Sequence, residues 1–356
     1  MKISEQLSNK IANMGIVCAI FVTSIHVFQS DASIGLSAWW AKSFLGWNGF
    51  AGIGVPFFFL ISGFFLAGHF EDEGWWVRAI KKRVGSLFVP YVAWCALWVI
   101  SFWAISIVAN VLAGRDLLAN VSFQMRDLVV AFGLHPFQNP AVPAFWYVRT
   151  LMIFVLIAPL FRKCLRKPVL WFLAVGFVYL IAFPVARPYL PSRWSYFFMY
   201  ALSLEGIVYF SLGMFLRERG LPKSVQCGCL WLPLCAALLI FTAAAVLRFN
   251  HAQGWMTLRV VGFPFAMLAV WRMIPDRRWP SWLVSASFAV FATHQLIIKL
   301  TEFALLQVGF DIRAYAGDSA GWWVVMTFVY ASAGIAFAFV VRRMLPCLAS
   351  ILFGGR

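Results

Sequence analysis

His26 is the first residue in this chain that could do chemistry. It sits in the run IANMGIVCAIFVTSIHVF, residues 11 to 28, in which no other side chain is formally charged or titrates near neutral pH. A polar ring in such a run is costly unless it faces a bundle interior or a wet cavity. A neutral imidazole can accept the proton of a weakly nucleophilic hydroxyl at neutral pH, which makes general-base catalysis the natural chemistry. Thr23 and Ser30, three before and four after it, share its helical face and form one polar stripe. From this feature alone, a catalytic histidine and a histidine bonded to a neighbouring helix are equal readings.

Four more ionisable residues fall inside apolar runs: Arg149, Glu205, Lys299 and Glu302. Lys299 and Glu302 are three apart on one helix and can pair. Arg149 stands early in its run, where a long side chain can snorkel to the interface. Glu205 stands about nine residues into its run, near the midplane, and needs a cation such as Arg149; a structural pair is favoured over a catalytic role. The loop cluster Arg78, Lys81, Lys82 and Arg83 offers a phosphate patch, with Arg as the better bidentate donor, although membrane topology alone also gathers cations in such loops. Trp146 and Tyr147 could line a sugar path, but anchoring at the membrane interface is the simpler reading. Ser62 and Gly63 read as a small-residue helix contact rather than as a nucleophile with its base.

The elements that must position these residues are membrane helices. The chain has 356 residues, of which 63% are apolar and 12% charged, about half the charge of an ordinary soluble domain. A water-soluble surface cannot be built from this composition. Runs long enough to cross about 30 Å of hydrocarbon lie near 11–29, 49–69, 84–113, 144–161, 169–184, 197–216, 227–247, 255–274, 282–306 and 321–341. Most of the 29 Lys and Arg fall in loops on the side of the N-terminus, which predicts that both termini are cytoplasmic. The first run is read as an uncleaved helix, because no small-residue cleavage site closely follows it. His26 then lies about 24 Å along its helix from Lys10, in the outer half of the membrane. The predicted fold is an all-α bundle of about ten transmembrane helices, forming one membrane domain over residues 1–356.

The net charge of +16 is spread over short loops and reads as topology and contact with anionic lipid, not as nucleic-acid binding. Of seven Cys, five (Cys18, Cys95, Cys164, Cys235 and Cys347) read as small core residues. Cys227 and Cys229 stand at a predicted cytoplasmic helix entrance, which disfavours a disulfide. No metal site is assigned, since the spacing pattern for one is absent.

Several segments together carry a family resemblance: SIHVF closing the first run, GVPFFFLISGFFLAG (54 to 68), KKRVGSLFVPY (81 to 91), FWYVRTLMIFVLIAPLF (145 to 161) and FATHQLIIKL (291 to 300). With them the chain resembles the integral membrane acyltransferase family 3, which includes bacterial O-acetyltransferases of surface polysaccharides. The resemblance spreads over nearly all ten runs. It implies a ten-helix enzyme of the bacterial inner membrane that moves an acyl group, commonly acetyl, from cytoplasmic acyl-CoA to a hydroxyl of an envelope glycan or lipid-linked sugar. Acyl-CoA is then a co-substrate, and no tightly bound cofactor is expected.

His26 matches the family's catalytic histidine and Arg83 a cation of the inner-loop motif. His294 falls in the family's closing Tyr-Leu-His-like segment, with Thr293 directly before it, and is expected to face the same cavity as a candidate ranking below His26. Two positions depart from the pattern. The family usually has Arg eleven residues before the histidine, nearly on its face and about 16 Å nearer the cytoplasm; this chain has Gly15. It often has a second Arg three after the one matching Arg83; this chain has Ser86. Lys10 and Asn13 lie off the His26 face, so Arg83 is the residue expected to hold the donor. The competing expectations are a transporter or flippase for a lipid-linked sugar and a non-catalytic family member.

Overall fold

The computed structural model describes residues 3–27, 36–117, 124–222, 225, 228–250, 254–312 and 319–355. Ser30 of the predicted polar stripe, and Cys227, lie outside them. Among the described residues, nine helices are long and apolar enough to cross a membrane, and a bent pair makes ten. The ten principal helices are α1 (Glu5–His26), α2 (Gly54–Ala67), α3 (Val89–Leu112), α4 (Trp146–Leu156), α5 (Pro168–Phe177), α6 (Leu204–Arg219), α7 (Trp231–Phe249), α8 (Trp255–Met273), α9 (Ser287–Gln307) and α10 (Ala320–Met344).

Two runs that read as continuous in the sequence are broken. The fourth bends by 67° between Pro143–Leu156 and Ala158–Cys164, because Pro159 brings no backbone N–H and its ring crowds the preceding turn. The sixth starts at Ser192 and breaks at Ser203. Ser203 has φ 46° and ψ 84°, and no other non-glycine residue among those described has a positive φ. Its side chain accepts the Gly206 N–H at 3.0 Å and so caps α6.

The closest packing is between α2 and α6, and glycine permits it. A methyl group on Gly63 would collide with the carbonyl oxygen of Phe210, and one on Gly213 with that of Leu60. Lipid tails give apolar helices no reason to leave them, so close backbone approach and dispersion hold such a pair. The expected helix contact at Gly63 is therefore present. Fully buried Phe59, Phe154 and Phe210 fill the space around this pair, while Val169, Leu170 and Leu173 of α5 point outward, as a lipid-facing surface requires.

Helix α1 is pinned at both ends. Asn13 Nδ2 donates to the carbonyls of Pro275 (3.1 Å) and Arg277 (2.8 Å), and its Oδ1 accepts from the Trp279 amide (3.1 Å). Lys10 pairs with Asp276 at 3.0 Å. At the other end, Trp323 Nε1 donates to the carbonyl of Ser24 at 3.0 Å. The start of α1, the segment around 275–286 and the end of α10 share one end of the bundle, where Arg342 donates to Ser285.

Three sequence expectations are corrected. Arg149 does not snorkel: it is 8% exposed, and its Nη1 reaches the carbonyls of Gly133 (3.3 Å), His135 (3.2 Å) and Gln138 (3.0 Å). A guanidinium can serve several acceptors at once, so the loop folds back over it. Glu205 consequently does not pair with Arg149; the cation that shares its cavity is Arg259, with no direct ion pair between them among the described residues. Only Cys18 and Cys95 are buried, whereas Cys164 is half-buried and Cys235 and Cys347 are exposed. Lys299 and Glu302 pair as expected, at 3.2 Å.

Candidate active site

His26 is the last residue of α1, and Val27 leaves the helix with extended backbone. Two residues of α9 meet it there. Gln295 Nε2 lies 3.1 Å from His26 Nδ1 and 3.3 Å from Nε2. The Gln295 orientation follows from its other end, where Oε1 accepts the Ala144 N–H at 3.2 Å. Gln295 thus presents N–H groups to His26, and the ring nitrogen that accepts one carries no proton of its own. Thr23 is buried but bonds back to Ala19 in its own helix, so it shares the face without reaching the ring.

His294 is fully buried, and its ring centroid lies 5.0 Å from that of His26. Its Nδ1 is 2.7 Å from the Phe291 carbonyl. A carbonyl only accepts, so Nδ1 holds the proton of the neutral ring and Nε2 keeps its lone pair. That Nε2 has no hydrogen-bond partner among the described residues. Gln295 was not singled out in the sequence, although it directly follows His294 within an apolar run.

A cavity of about 290 Å³ lies between α2, α4 and α9 toward the end of the bundle that holds the N-terminus. Arg83 lines it with Ser62, Tyr147 and Ser287, while Arg78, Lys81 and Lys82 are exposed. The chain beside Arg83, Val84–Phe88, winds as a π-helix, a distortion frequent at functional sites. The Phe291 ring also lines this cavity and stands 6.1 Å from the His294 ring. One aromatic ring therefore separates the Arg83 cavity from the histidine pair. Gly15 lies beside the same place, since a methyl group there would meet nothing nearer than Ser287 Oγ at 4.0 Å. The site of the second departure, Ser86, is covered by the chain at Gly354.

A second cavity, of about 690 Å³, opens on the far side of α4. Trp146 and Glu205 line it with Tyr179 and Arg259. Arg149 stands behind it, with Nη2 3.4 Å from the Tyr196 hydroxyl. Arg259, in the first turns of α8, is 7% exposed and lies over the rings of Trp47 (4.9 Å) and Phe263 (5.3 Å). Stacking on two aromatic faces is what allows a guanidinium to sit this deep. Among the described residues, no three His, Cys, Asp or Glu side chains gather as a metal site.

The residues predicted from sequence thus divide into two groups. His26 and His294 meet at the helix junction, with Arg83 one ring away; Trp146 and Glu205 face the larger cavity, with Arg149 supporting its rim. A family model described as an acyltransferase domain matches residues 13–343. No curated relative and no solved structure matches the chain. The match takes in His26, Arg83 and His294 alike, and an acyltransferase domain over most of the chain makes the protein an acyltransferase. The chain belongs to the acyltransferase 3 family and is a multi-pass membrane enzyme.

Proposed function

We propose that this enzyme carries an acyl group, commonly acetyl, from cytoplasmic acyl-CoA to a hydroxyl of an envelope glycan or lipid-linked sugar in the bacterial inner membrane, with His26 as general base. The observation that carries the reading is the junction of α1 and α9, where Gln295 holds the His26 ring beside His294. The excess of Lys and Arg on the N-terminal side supports a cytoplasmic N-terminus. That orientation puts Arg83 and its cavity on the acyl-CoA side.

A sugar hydroxyl is a weak nucleophile, and a positioned base typically contributes about 10²- to 10⁴-fold to its reaction. The hydroxyl oxygen attacks the thioester carbonyl carbon while its proton passes to the unprotonated ring nitrogen of His26, which releases the Gln295 N–H as it takes the proton. The new C–O bond forms a tetrahedral intermediate, whose collapse breaks the C–S bond. The CoA sulfur leaves and recovers the proton from His26, so the products are an ester and free CoA. His294 Nε2, with no protein donor to its lone pair among the described residues, shares that proton. Arg83 supplies a charged donor for a phosphate of the CoA, and the apolar lining near Phe58 and Phe291 suits the thioester arm.

The test is to incubate the purified, lipid-reconstituted protein with labelled acetyl-CoA and a cell-envelope extract. Label in a sugar fraction that depends on His26 supports the reading. Full activity in His26→Ala would sink the mechanism, and no CoA release with any short acyl donor would remove the donor assignment.

A further inference from the structure

The 690 Å³ cavity is a second concave site, separated from the histidine pair by the segment Pro143–Trp146. Ala144 faces one way and donates its N–H to Gln295, while Trp146 lines the cavity. Its volume falls in the range of about 300–1,000 Å³ usual for small-molecule sites.

Two opposite charges stand in this cavity without meeting. Glu205 stands beside Tyr179 on the cavity wall, and its Oε1 is buried with no hydrogen-bond partner among the described residues. Arg259 lies over two aromatic rings, and its Nε is likewise buried with no partner among the described residues. No direct ion pair joins them among the described residues, although buried charges are normally paired and hydrogen-bonded. A group that completes both must donate to the carboxylate and accept from the guanidinium. A hydroxyl does both.

The walls select further. Trp47, Trp146 and Trp255 line the cavity beside these charges, and aromatic walls next to polar groups suit a ring with C–H groups on one face and hydroxyls at its edge. The backbone around the cavity is unusual in three places. Val178–Ala182, which carries Tyr179, and Phe197–Ala201, which carries Tyr200, both wind as π-helices. Ser203, two residues before Glu205, holds its left-handed conformation. Such distortions cost energy and concentrate where a side chain must be aimed.

We propose that this cavity is the acceptor subsite of the enzyme: it holds a non-reacting saccharide unit between Glu205 and Arg259, while a hydroxyl elsewhere on the same glycan is presented to His26. The proposal rests on the acyl-transfer reading for its second half only. Binding energy from a remote sugar then positions the reacting hydroxyl and sets which glycan is used.

The experiment uses the full chain in lipid nanodiscs, labelled acetyl-CoA, and oligosaccharides released by mild acid from an envelope extract. Glu205→Gln keeps the shape but weakens the acceptor, and Thr257→Trp fills the cavity. Both are expected to raise the oligosaccharide concentration for half-maximal transfer by about tenfold or more. Hydrolysis of acetyl-CoA by water, and its saturation, should stay within about twofold of the parent, since neither residue touches the donor side. Unchanged glycan saturation, or equal loss of hydrolysis and transfer, overturns the proposal. Tryptophan fluorescence titrated with the same oligosaccharides separates binding from chemistry. A response kept in His26→Ala and lost in Glu205→Gln supports a saccharide site even if no acyl transfer is found, and no response in the parent protein overturns it.

Discussion

Gln295 reaches the ring of His26 across 269 positions of sequence, with its Nε2 3.1 Å from His26 Nδ1. The contact depends on a third element, because the Ala144 N–H fixes which end of the Gln295 amide faces the histidine. The base is thus held by α9 and by the entrance to α4 together, and each should leave a kinetic trace.

His26→Gln keeps a neutral polar side chain but cannot take up the hydroxyl proton. The maximal rate of transfer is expected to fall by about 10²- to 10⁴-fold. Acetyl-CoA should still saturate at a similar concentration, which a titration of CoA release would show.

Gln295→Leu removes the N–H directed at His26 and strands the buried Ala144 N–H. Loss of a buried hydrogen-bond partner costs about 1–3 kcal/mol, so the rate should drop up to about a hundredfold. Gln295→Glu keeps the acceptor for Ala144 and replaces the donor facing His26. Equal thermal stability of Gln295→Glu and the parent, with unequal turnover, would separate positioning of the histidine from simple packing.

Gly15→Arg restores a cation at the position where the family resemblance expects one. Side chains on a helix lean toward its N-terminus, and the nearest atom to a methyl group there is Ser287 Oγ, on the wall of the Arg83 cavity. A new charge-assisted bond to a phosphate is worth about 1.5–3 kcal/mol. The affinity for acetyl-CoA, measured by calorimetry, should rise by at least about tenfold.

Gly213→Ala drives a methyl group into the Leu60 carbonyl. Helices α2 and α6 must then separate, at a cost of about 1–3 kcal/mol for overpacking. A lower unfolding temperature in detergent is expected, whereas Gly85→Ala, which meets nothing within 4 Å, should behave like the parent.

Arg149→Lys keeps the charge and loses the fork. One ammonium cannot hold the carbonyls of Gly133, His135 and Gln138 in the same geometry. Faster proteolysis between residues 133 and 139 is the expected sign, and an unchanged cleavage pattern would show that the loop is held by other contacts.

The sequence by itself determined the membrane-spanning character, the approximate number of helices and the isolation of His26. These are local properties: hydropathy is summed over a short window, and a lone histidine in an uncharged run is visible without any partner. The Lys299 and Glu302 pair was legible for the same reason, since three residues set the geometry on one helix. Gly63 was legible as a small residue, but only packing supplied its counterpart, Gly213. The charge partners were decided by tertiary structure alone. Arg149 was drawn into a loop of carbonyls and Arg259 was drawn over two rings, so Glu205 shares its cavity with a different cation from the one its depth suggested. Gln295 and the partition at Pro143–Trp146 had no signal of their own, because their roles arise where α1, α4 and α9 meet. Hydropathy tells a residue how deep it sits; only packing tells it which neighbour it faces.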